Sequence, residues 1–168
     1  MSYQEKRTIT NIFTGAVVLI AYCIYAFGKY QAGLVESGDL KFWASTMLIF
    51  IGIGIVLTII VQIIFHILLS VSIAVQKKIQ DVNFDESEIE RSIKSEMVED
   101  EMGKLIGLKS ERIGFITVGF GFVLGLFSIV FNYPAAVLLN ILFISFSLGS
   151  ILEGFANLYY FRRGIQHA

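Results

Sequence analysis

The stretch Trp43–Val75, WASTMLIFIGIGIVLTIIVQIIFHILLSVSIAV, decides the fold. It contains no Lys, Arg, Asp or Glu. As a helix rising 1.5 Å per residue it is about 50 Å long, against a hydrocarbon core of roughly 30 Å. A run of this kind spans a bilayer and either tilts strongly or projects from it through its polar-spotted end at Ser70, Ser72 and Gln76. Working outward, Ile9–Gly28, Ile113–Phe131 and Ala135–Phe161 are also long enough to cross. The composition agrees: 55% of the 168 residues are hydrophobic and mean hydropathy is +0.73, more apolar surface than a soluble domain of this size buries. Lipid is the expected solvent.

Charge assigns the sides. Lys6, Arg7, Lys77, Lys78, Arg91, Lys94, Lys104, Lys109, Arg112, Arg162 and Arg163 fall on one side of the four runs, and of the 13 basic residues only Lys29 and Lys41 fall on the other. The positive-inside rule therefore predicts both termini and the middle segment in the cytoplasm. The acids between Asp81 and Glu101 do not reverse this, because the rule counts Lys and Arg rather than net charge. Trp43, Tyr30 and Tyr133 are expected at the outer interface, and Tyr159 and Tyr160 at the inner one.

The predicted fold class is all-α: a polytopic membrane protein with four transmembrane helices as two hairpins, joined by a cytoplasmic amphipathic helix. The expected units are residues 1–78, 79–112 and 113–168. The short link Asn132-Tyr133-Pro134 makes the last two helices antiparallel neighbours, and Pro134 suits the first turn of the fourth, where a missing N–H costs nothing. Within 79–112, Asp85 with Glu88, or Ser87 with Glu90, reads as a capping box. Ile89, Ile93 and Met97, continued by Met102, Leu105 and Leu108, form an apolar stripe. Gly103 and Gly107 are places where that helix bends or breaks before the third span, if it does not run through.

Two polar stripes run inside the spans. Gly54, Thr58, Gln62, His66 and Ser70 lie at intervals of four in the second, and Ser145, Gly149, Glu153 and Asn157 in the fourth, so each set shares one helix face. Glu153 is the one acid within a span and His66 the one intramembrane histidine. An unpaired charge there costs at least about 2.5 kcal/mol, which makes Glu153 a candidate proton or cation site. The alternative is a carboxyl that snorkels to the interface or bonds between helices. Similar distances to the following basic pairs place His66 and Glu153 at comparable depth. For His66, Gln62, Thr58 and Asn157 the plainer role is interhelical hydrogen bonding. Gly114, Gly121, Gly125 and Ser128 put small residues on one face of the third span, which permits close approach of another helix, in this chain or in a second copy.

Several classes are excluded. Cys23 is the single cysteine, so there is no intramolecular disulfide and no multi-cysteine metal site. Asp81–Asp85 opens like a calcium loop, but Glu86 stands where Gly is needed and Ser92 where the bidentate Glu belongs. No nucleophile elbow, metalloprotease helix or phosphate-binding loop is present. The expectation is a noncatalytic protein with no cofactor or metal. The acidic middle segment argues against nucleic acid. The expected partners are the lipid bilayer and a second copy or another membrane protein. The expected role is that of an interaction, accessory or regulatory subunit, the alternative being a small transporter or channel with its pathway between the polar stripes.

The stretch Asp100-Glu101-Met102-Gly103-Lys104-Leu105-Ile106-Gly107-Leu108-Lys109-Ser110-Glu111-Arg112 leads into a glycine-rich span, and the last span ends in Tyr159-Tyr160-Phe161-Arg162-Arg163. In this the chain resembles an uncharacterised bacterial family of small four-helix integral membrane proteins, the likeness lying mainly in residues 100–163. The resemblance implies the four-span layout, a place in the bacterial inner membrane and no known activity.

Overall fold

The computed structural model describes residues 3–80 and 101–163, with α2 side chains given throughout as far as Phe65 and at a few positions beyond. Among them are four helices: α1 (Tyr3–Gln31), α2 (Leu40–Gln80), α3 (Glu101–Val130) and α4 (Ala135–Arg163). Each is long and apolar enough to cross a membrane.

Local chemistry sets the helix ends. α1 stops where Gly33 turns left-handed at φ 71. There the Leu34 N–H donates to the Lys29 carbonyl at 3.1 Å and the Gly33 N–H to the Tyr30 carbonyl at 3.0 Å, the paired bonds of a Schellman cap. α3 stops in the same way at Asn132, φ 60, with Tyr133 donating to Ser128 and Asn132 to Ile129, both at 2.9 Å. Asn is the side chain after Gly that best tolerates this conformation. Asp39 caps α2, its carboxylate accepting the Phe42 N–H at 3.0 Å. Pro134 falls one position ahead of α4, slightly earlier than expected, and its carbonyl accepts the Val137 N–H at 2.8 Å.

α3 runs unbroken through Gly103 and Gly107, so the unit boundary drawn at 112/113 falls inside a single helix. Each interior Gly costs about 1 kcal/mol relative to Ala, but Gly103, Ile106 and Ser110 lie on the buried side of the helix, and that burial holds it together. The apolar-stripe residues Met102, Leu105 and Leu108 lie on the exposed side. The earlier part of that stripe, Ile89, Ile93 and Met97, and both capping boxes lie outside the described residues.

The centre of the bundle is α4, which packs on α1, α2 and α3; α1 also packs on α2. The pairs α1–α4, α1–α2 and α3–α4 run antiparallel, whereas α2 and α4 run parallel. Ile12 and Thr8 lie at Gly154 and Ile151 at Gly15, while Tyr22 reaches Asn140 near the other end. Likewise Val18 meets Gly54, and Tyr30 meets Trp43. The buried cluster Tyr22, Ala26, Trp43, Met47 and Ala136 sits at the end of the bundle that carries both described connections. Trp43 is thus 3% exposed, not the interfacial anchor its position suggested. Its ring is enclosed by Phe27, Phe42 and Tyr30. Cys23 is half-buried against the same cluster.

Candidate functional site

Three places in the bundle bring polar or small residues together. The first is the α3–α4 contact. Gly114, Gly121, Gly125 and Ser128 are buried on α3, and their neighbour is α4 of the same chain. A methyl group added at Gly121 would run into the Ser145 side chain, and one at Gly125 would lie 2.5 Å from Leu138 Cδ1. At Gly114 it would meet the Gly149 carbonyl and Glu153 Oε2, both at 3.1 Å. From Gly149 the reverse contact reaches the Gly114 carbonyl at 2.9 Å. A side chain at Gly121 has no room beside Ser145, and at Gly114 and Gly149 the two backbones meet directly.

The carboxyl of Glu153 therefore lies over the glycine notch of α3 and is half-buried, neither deep in a cavity nor fully in lipid. One turn further along the same face stands Asn157, opposite the turn of α3 that holds Ser110. Ser110 is fully buried and gives its hydroxyl proton to the Ile106 carbonyl at 2.8 Å. Asn157 Oδ1 is buried and has no hydrogen-bond partner among the described residues. Beyond it, Arg162 Nε stands 3.8 Å from Glu5 Oε1 and ties the end of α4 to the start of α1.

The second place was not singled out in the sequence. Tyr22, fully buried on α1, donates its hydroxyl to Asn140 Oδ1 on α4 at 2.7 Å. The Asn140 amide donates in turn to the Ala136 carbonyl at 2.8 Å. The Tyr22 ring is held edge-on by Phe50 at 5.5 Å and packed by Phe143 at 4.3 Å between centroids. The signal was an Asn within the first two turns of an apolar span, but its partner lies 118 positions away, so sequence spacing could not pair them.

The third place is a groove of about 780 Å³ between α1, α2 and α4. Thr58 lines it and closes its hydroxyl on the Gly54 carbonyl at 2.8 Å. Gln62 follows one turn on and is half-buried. The side chains of His66 and Ser70 lie outside the described residues.

The two polar stripes accordingly look toward different neighbours. Ser145, Gly149 and Glu153 lie against α3, whereas Gly54 lies against Val18 of α1 and Thr58 lines the groove. Among the described residues no three His, Cys, Asp or Glu side chains are grouped to hold a metal ion. No family model, curated protein or solved structure matches the chain. Among the described residues four long apolar helices, with α4 at their centre, define the class: an all-α, multi-pass membrane protein.

Proposed function

We propose that the chain is a noncatalytic membrane subunit, accessory or regulatory to a second copy or to another membrane protein, with two helical hairpins joined by a cytoplasmic amphipathic segment that leads into the first turns of α3. One observation carries this reading: the polar and small residues of the spans go to helix contacts within the bundle. Gly114, Gly121 and Gly149 serve the α3–α4 contact, Tyr22 and Asn140 close a buried bond, and the Thr58 and Ser110 hydroxyls return to their own helices. The basic-residue count supports cytoplasmic termini, and the resemblance supports a bacterial inner membrane. Deleting residues 87–97 is expected to abolish the complex recovered in a membrane pull-down. An unchanged complex would remove this segment as the contact.

The second reading, a small transporter or channel, is favoured by one observation. Glu153, the one intramembrane acid, stands one turn from a buried Asn157 Oδ1 that lacks a donor. The α2 and α4 stripes, between which this reading places the pathway, face different neighbours, Glu153 lying over α3. On this reading Glu153→Gln abolishes proton-coupled or ion flux in proteoliposomes. Flux that survives the substitution eliminates the carboxylate from the pathway.

A further inference from the structure

The groove between α1, α2 and α4 is largely apolar, with a polar residue, Asn11, toward the start of α1. Toward its other end Phe50 and Phe143 line it and pack on Tyr22, which the Asn140 bond holds in place. Along the bore the walls are largely aliphatic and aromatic. The Thr14, Thr58 and Ser147 hydroxyls that line it donate to the Thr10, Gly54 and Phe143 carbonyls at 2.9, 2.8 and 3.0 Å, which leaves carbon facing the space. Ser150 also lines it, and the rest of the bore is apolar and poorly suited to water.

The end toward the start of α1 is different. Asn11 lines the groove, is exposed, and makes no hydrogen bond with a described residue. Arg7, Asn11, Thr14 and Val18 fall on one face of α1, at steps of four, three and four. Arg7 therefore stands one turn beyond Asn11, on the line of the groove. It is exposed, and the ion pair of the described residues belongs to Arg162 and Glu5. From Asn11 to Tyr22 the helix rises about 16 Å, close to half of the roughly 30 Å hydrocarbon core.

We propose that this groove binds one anionic phospholipid from the leaflet on the side of the chain termini. One acyl chain lies in the bore with its methyl end at Phe50 and Phe143, an ester carbonyl accepts from the Asn11 amide, and the phosphate pairs with Arg7. Three observations agree on this occupant: the apolar bore, its length of one leaflet, and a donor followed by a cation in the order that a glycerophospholipid presents ester and phosphate. A helix from a second copy would fit the bore but gives no reason for Arg7 beyond its Asn11 end.

The test is native mass spectrometry of the full chain, titrated with phosphatidylglycerol and with phosphatidylcholine of the same acyl composition. One phosphatidylglycerol per chain is expected to survive activation better than phosphatidylcholine. Arg7→Gln should lower its retention about fivefold, the weight of one basic residue at an anionic surface, and Arg7→Lys should restore it. Thr58→Phe, which fills the bore, should lower retention of both lipids. Arg7 is exposed, so its variants report on binding rather than on folding. Equal retention of the two lipids, no effect of Arg7→Gln, or a lipid-free dimer that excludes phosphatidylglycerol would each overturn the proposal.

Discussion

Gly121 is the residue where the bundle is least forgiving. Its hydrogen faces the Ser145 side chain at a point where α3 and α4 touch. Gly119, two positions away on the same helix, has nothing within 4 Å of the space a methyl group would occupy. Gly121→Ala should therefore destabilise the bundle by about 1–3 kcal/mol, the usual cost of overpacking. Gly119→Ala should be neutral or stabilising by up to about 1 kcal/mol through helix propensity alone. Reversible unfolding in mixed micelles checks the pair, and equal effects would mean that α3 and α4 do not meet along this face. The presence of small residues at Gly114, Gly121, Gly125 and Ser128 was legible in the sequence, because their spacing is that of one helix face. That the facing helix is α4 of the same chain was not, since a stripe of glycines is equally suited to a second copy.

At the scale of the element, α2 and α3 both exceed what a membrane requires. α2 has 41 residues, about 60 Å of helix, so roughly half of it is surplus to a 30 Å core. It packs on α1 through Gly54, Phe50 and Trp43, all in its first half. Anchored there, the second half is expected to project. A cysteine placed at Val75, with Cys23 replaced by Ala, should react with a membrane-impermeant maleimide in opened vesicles, and one at Ile53 should not. Protection at Val75 would mean that α2 lies over in the bilayer instead. α3 carries its surplus at its start, where the charged turns Glu101 to Arg112 continue into the span without a break. The sequence left Gly103 and Gly107 open as hinges. Packing keeps the helix straight through them, because the buried row Gly103, Ile106, Ser110 and Gly114 is continuous.

Across the whole molecule, the connections α1–α2 and α3–α4 lie at the same end of the bundle, together with the buried aromatic cluster. With four crossings the start of α1 and the end of α4 share a side, which the distribution of Lys and Arg predicts to be the cytoplasm. A phosphatase reporter fused after Ala168 is expected to be inactive and a fluorescent one bright; the opposite pattern would invert the sidedness. What the sequence by itself determined is the four apolar runs long enough to cross a membrane, their approximate limits and the charge asymmetry, all of which depend on residues near one another in the chain and on their transfer between water and lipid. Tertiary structure alone decided which faces meet. It joined Tyr22 to Asn140, turned the Glu153 stripe toward α3 and the Thr58 stripe toward a groove, and buried Trp43. In lipid every outward face is equally apolar, so hydropathy carries no information about partners, and pairing is set by shape and by a few hydrogen bonds that only the assembled bundle brings within reach.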